Sequence, residues 1–153
     1  MVTPKIEQFL VAEKPETPCL IVDLDVVFEK YIRFQTAFPQ AKIFYAVKAN
    51  PAAPILEKLV ALGSRFDAAS IVEVERCIAA GAETKNISYG NTIKKQSDIA
   101  TAYNRGIRLF AFDSEEDLRK LEVAAPGAKV FCRGLVTNTG ALWPLSEKFG
   151  CSA

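Results

Sequence analysis

Histidine is absent from these 153 residues. Catalysis by Ser-His-Asp or Cys-His arrangements is therefore excluded within the chain, as is any metal site built on imidazole. Cysteine is sparse: Cys19, Cys77, Cys132 and Cys151 are widely spaced and form no CxxC pair. That spacing argues against a zinc site and against a disulfide framework. The four read as small apolar residues buried in a reducing compartment, and no bound metal is expected. An excess of one charge is also missing, because 19 basic and 18 acidic residues leave a net charge of +1. No broad field favours nucleic acid or a membrane surface as a partner. The basic pair Lys94-Lys95 reads as the solvated start of a helix. No apolar run approaches the roughly 20 residues of a membrane span. The opening "MVTPKIEQFL" lacks the charged-then-apolar build of a signal peptide, so a cytoplasmic location is expected.

What is present belongs to a folded protein. Half the residues are hydrophobic and 24% are charged, which separates the chain from disordered sequences. Short β-prone runs begin at Lys42 (KIFYAV), Arg65 (RFDA), Asn86 (NISYG), Ile107 (IRLFAF) and Ala128 (AKVFCR). Their starts lie 21 to 23 residues apart, the length of a compact strand-helix unit. Between them run helical patterns. Ile55, Leu56, Leu59 and Val60 make one stripe that stops at Gly63, and "SIVE" at Ser70 to Glu73 is a capping box opening the next, which stops at Gly81. A third spans about Ser97 to Asn104, and a fourth follows Ser114 with Leu118 and Leu121 inward. A further strand is expected at "CLIVDL" (19–24), followed by a helix offering Val27, Tyr31, Ile32 and Phe34 for burial.

Alternation of this kind implies parallel strands joined by crossover helices. Two α/β architectures fit: an open doubly wound sheet, or part of a (β/α)8 TIM-type barrel with about five of eight strands present. The Gly-rich turn of a dinucleotide site is missing after the first strand, where "AVKANP" stands instead. The near-constant spacing favours the barrel. Each run closes on a polar residue: Lys48, Asp67, Asn91 just past Gly90, Asp113 and Arg133. Sites form at the carboxyl ends of parallel strands in both architectures. Asp113, in "FDSEEDL", also reads as an ordinary approach to a capped helix.

"FYAVKANP" followed by "LGSRFDAAS", "ISYGNTIKK", "GIRLFAFDSEEDL" and "WPLSEKFG" resembles the pyridoxal-phosphate-dependent decarboxylases of the ornithine/diaminopimelate group, whose catalytic domain is an alanine-racemase-like barrel. The likeness runs from about Pro18 to Gly150 and is greatest to ornithine decarboxylases, including those that accept lysine. It implies that Lys48 is the catalytic lysine whose amine carries the cofactor, pyridoxal 5'-phosphate. It implies that Asp67 and Arg133 also bind the cofactor, that Glu73 stands behind the site, and that Lys148 lies at a dimer interface. Glu73 is equally explained by its capping box. Burial beside Phe44, Tyr45 and Val47 is expected to disfavour the charged form of Lys48 and make it a nucleophile.

The resemblance further implies decarboxylation of ornithine, with lysine as an alternative substrate, to a diamine such as putrescine in polyamine synthesis, by a homodimer. It divides the chain into an N-terminal segment, 1–24, with a strand that joins the family's β-domain, and a partial barrel, 25–153. The other readings are diaminopimelate decarboxylase, an amino-acid racemase of the same fold, or a non-catalytic relative that regulates polyamine levels by binding protein partners. Missing from the family pattern are the ring-stacking histidine, the Gly-rich phosphate loop, the acid that pairs with the pyridine nitrogen and the β-domain. The chain is therefore expected to be an N-terminal part.

Overall fold

Five strands form one sheet in the computed structural model, which describes residues 2–136, 140 and 149–152. They are β1 (Phe44–Ala46), β2 (Arg65–Ala68), β3 (Ile87–Tyr89), β4 (Leu109–Phe112) and β5 (Lys129–Cys132). Every neighbouring pair is parallel, and the spatial order is the chain order. All five fall inside the expected runs. The order also separates the two architectures, since a doubly wound sheet reverses direction at a switch point. Parallel strands in sequential order, with the right-handed crossovers that such units follow as a rule, carry their helices on one face of the sheet, the arrangement of a barrel.

The crossover helices are α3 (Ala53–Ala61), α4 (Ile71–Ala79), α5 (Gln96–Asn104) and α6 (Glu115–Ala124), numbered after two helices that precede the sheet. Helix α4 starts where the sequence says it should, because Ser70 Oγ accepts from the Glu73 N–H at 3.3 Å. The Glu73 carboxylate in turn accepts from the Ala69 N–H at 2.7 Å. Its end is set by Gly81, whose φ of 93° no ordinary side chain adopts readily. The core lies between the helices and the outer face of the sheet. Phe66, Ile87 and Phe110 reach it from the strands, and Leu56, Val74, Ile99 and Leu121 from the helices. Burying each large side chain stabilises the fold by roughly 2 kcal/mol.

Two units are distinguishable, Met1–Ala41 and Lys42–Ala153. The first holds α1 (Pro4–Glu13) and α2 (Leu24–Ala37). Thr3 caps α1 and donates to Asp23 Oδ2 at 2.7 Å, while Asp23 Oδ1 accepts from the Asp25 N–H and caps α2. Tyr31 is the buried residue of α2; Phe34 is exposed and packs on Phe38, with ring centroids 5.0 Å apart.

Three expectations need correction. The strand over 19–24 is not formed: residues 19–23 pair with no strand among those described, and Leu24 already belongs to α2. A β-run without a partner to share its backbone hydrogen bonds has little reason to stay a strand. Leu118 is exposed, because α6 turns Asp117 and Leu121 inward instead. Of the four cysteines only Cys77 is buried, whereas Cys19 and Cys132 are exposed.

Candidate functional site

Strand alternation sorts the side chains. On β2, Phe66 and Ala68 enter the core, so Asp67 between them faces the other way. The register sets Ala46 beside Asp67, Asp67 beside Ser88 and Ser88 beside Leu109. One row of inward-facing residues therefore crosses four strands. That row lines a cavity of about 700 Å³, together with Gly90, Ala111, Phe131, Cys132 and Arg133. Its size is that of a small-molecule site, and its walls are mostly apolar with a few polar groups.

Asp67 is held in place. Its Oδ1 accepts from the buried Ser88 hydroxyl at 2.7 Å. Gly90 makes room for it, since a Cβ there would lie 2.0 Å from the same oxygen. Neither partner was singled out in the sequence, although Ser88 and Gly90 share the period-2 face of "ISYG".

Arg133 directly follows β5, and its N–H donates to the Phe112 carbonyl at 2.8 Å. Its guanidinium lies 5.1 Å from the ring centre of Phe149, a cation–π contact. Asp113 accepts from the Gly150 N–H at 3.0 Å, which ties the segment around Phe149 to the end of β4.

Lys48 stands two residues beyond Ala46, at the carboxyl end of β1, in a 3-10 turn of Val47–Ala49. It does not line the cavity. Its expected burial is not found: the turn sends Val47 fully into the core and leaves Lys48 exposed. The neighbours that were to shield the amine do not do so in this chain. Lys148 lies outside the described residues.

The reading of Lys94 as a solvated lysine is overturned. It is buried, donating to the Asn91 carbonyl at 2.8 Å, to the Ala111 carbonyl at 2.7 Å and to the buried Asp117 carboxylate. Burial pushes its ammonium below the ordinary lysine range, an effect that the Asp117 hydrogen bond and charge partly offset. The pair braces the loop after β3 against β4, next to Gly90 and Ala111 of the cavity. A lysine followed by a lysine before a helix gives no signal of this in sequence. No group of three or more His, Cys, Asp or Glu residues able to hold a metal occurs among the described residues.

Residues 24–153 match the family model described as the pyridoxal binding domain of pyridoxal-dependent decarboxylases. The chain is 39% identical over 139 residues to a lysine/ornithine decarboxylase of Selenomonas ruminantium, covering 91% of this chain and 35% of that protein. It is 35% identical to antizyme inhibitor 2 of Xenopus laevis, over 85% of this chain and 28% of that one. Among solved structures, a lysine decarboxylase from Selenomonas ruminantium superposes with a TM-score of 0.87 at 36% identity, covering 99% of this chain and 40% of the other. The chain thus spans about a third of the length of the curated relatives it matches. With five parallel strands in barrel order and residues 24–153 matching the pyridoxal binding domain, the chain belongs to the pyridoxal-dependent decarboxylases and spans the N-terminal part of their barrel.

Proposed function

We propose that the protein bearing this domain decarboxylates ornithine, with lysine as an alternative substrate, to a diamine, and that Lys48 is its cofactor-holding lysine. The observation that supports this reading is the position of Lys48 in the turn at the carboxyl end of β1, the end of the sheet at which Arg133 follows β5. The residues fit the cofactor's chemistry. Leu109, Ala111 and Phe131 offer apolar walls for a flat ring, and Arg133 offers a cation for an anionic substituent. The immobilised Asp67 carboxylate adds one fixed negative charge. When bound, pyridoxal phosphate supplies the electron sink for the charge left on the α-carbon as carbon dioxide departs.

The chain's own residues do the positioning. Lys48 sits on a turn fastened at one side by the buried Val47 and at the other by the Tyr45 hydroxyl, which donates to the Asn50 carbonyl at 3.1 Å. Its amine therefore has a fixed root and a solvent-exposed tip, suited to repeated attack and release. Asp67, Ser88 and Gly90 present one rigid acidic surface on the cavity wall. Polyamine synthesis as the setting, the cytoplasm as the location and a homodimer as the assembly are parts of the same proposal.

The test uses the complete protein that carries this domain. It should show the visible absorbance of lysine-bound cofactor and release carbon dioxide from labelled ornithine. Lys48→Ala should remove the band and nearly all turnover. Lys48→Arg should fail too, since a guanidinium stays protonated and cannot act as the attacking amine. Full activity in Lys48→Ala would sink the assignment. The likeness to antizyme inhibitor 2 favours a second reading, a relative that acts by binding protein. That reading expects no lysine-dependent absorbance and protein binding indifferent to Lys48→Ala.

A further inference from the structure

We propose that Cys132 and Cys151 form an oxidisable thiol pair, which hydrogen peroxide closes into an intramolecular disulfide between β5 and the segment 149–152. The two sulfurs lie 3.3 Å apart although the residues are 19 positions apart in sequence. A disulfide needs them at about 2.05 Å, so the sulfurs must close by a little over 1 Å. The proximity is built in. The Cys151 N–H donates to the Arg133 carbonyl at 3.0 Å, and the Leu135 N–H donates to the Cys151 carbonyl at 2.8 Å. Gly134 and Cys151 thereby form a parallel β-bridge alongside β5. Gly150, one residue earlier, is anchored on Asp113. Cys132 is exposed and also touches the cavity, so an oxidant reaches it; its hydrogen bond with Cys151 holds its thiol above the ordinary range, so the reacting thiolate is a minor fraction that grows as pH rises.

The other two cysteines lack this arrangement. Cys77 is buried, and burial pushes its thiol up to about 12, so it stays protonated and inert. Cys19 is exposed but lies in the other unit of the chain.

The reaction balances with peroxide as the oxidant. The Cys132 thiolate attacks one peroxide oxygen; the O–O bond breaks, and hydroxide leaves and takes up the proton the thiol lost, giving water and a sulfenic acid. The Cys151 sulfur then attacks that sulfur. The S–S bond forms, the S–O bond breaks, and the hydroxyl leaves with the Cys151 proton as a second water. Two thiols give up two electrons and two protons in total. In a reducing compartment the resting state is the dithiol, so the bond forms only on oxidant exposure. Once closed, it fastens Phe149 and its neighbours to the strand that leads into Arg133.

The experiment uses the full chain, reduced, freed of reductant and treated with stoichiometric hydrogen peroxide at low protein concentration. Its mass should fall by that of two hydrogens, and two of its four thiols should be lost to titration in denaturant. A non-reducing tryptic digest should join the peptide VFCR to the peptide that begins at Phe149, and dithiothreitol should reverse every change. In Cys151→Ser, Cys132 should stop at the sulfenic acid, trapped by dimedone, with no loss of two hydrogens. Cys19→Ser should still form the bond. Four thiols surviving peroxide, a bridge through Cys19, or over-oxidised Cys132 beside a free Cys151 would each overturn the proposal. None of these readouts depends on cofactor binding or turnover.

Discussion

At the scale of single residues, the site is shaped as much by an absence as by its charges. Gly90 has no side chain, and the Asp67 carboxylate occupies that space. Gly90→Ala should force the carboxylate away from Ser88 and lower stability by about 1–3 kcal/mol, the usual cost of overpacking. Adding Asp67→Ala should relieve part of that loss, because the group in conflict is gone. Urea denaturation of the two single variants and the double variant measures the coupling. Strictly additive losses would mean that the two residues do not press on each other. Asp67 itself was visible in sequence as a polar strand end. Ser88 and Gly90 were hidden, because their role depends on a strand that lies 21 residues away in the chain.

At the scale of elements, the buried Lys94–Asp117 pair joins the loop after β3 to the first turn of α6. Removing Asp117 leaves the buried Lys94 ammonium with carbonyl partners only, and removing Lys94 leaves the buried Asp117 carboxylate with only the Lys120 ammonium at 3.8 Å; breaking a buried pair in this way costs about 3–5 kcal/mol. Lys94→Met and Asp117→Leu should each destabilise on that scale. The double variant should be milder than either, since an apolar pair of similar volume is often tolerated. Calorimetry or urea unfolding checks this, and a double variant worse than both singles would refute it. The capping boxes and glycine stops of these same helices were legible, because caps are local. The pair was not, because it is formed by two segments that only the fold brings together.

At the scale of the whole molecule, β1 and β5 are the outer strands of an incompletely curled sheet. Among the described residues β1 pairs only with β2 and β5 only with β4, apart from the isolated bridge from Gly134, just past β5, to Cys151. Val130 and Phe131 on β5 remain 43% and 41% exposed. Open edges with apolar side chains invite pairing with another chain. The chain of 153 residues, taken alone, should self-associate at micromolar concentration and should not decarboxylate ornithine. Sedimentation velocity showing one cooperative monomer over that range would contradict the first expectation. Carbon dioxide release by the purified chain, lost in Lys48→Ala, would contradict the second while upholding the lysine.

The division between sequence and fold follows from the range of the forces. The strand-helix rhythm, the helix boundaries at Ser70 and Gly81, the excluded histidine chemistries and the lysine after "FYAV" were all determined by residues close together in the chain. Hydrophobic periodicity and caps act over one or two turns, so they are written locally. Tertiary structure alone decided which face each strand shows to the cavity, that Val47 is buried while Lys48 is exposed, and that Lys94 is interior. It also decided that Cys132 meets Cys151 and that Asp67 rests against Gly90. Each of these depends on register between strands or on packing between segments about 20 residues apart, and no local pattern of residues encodes such a distance.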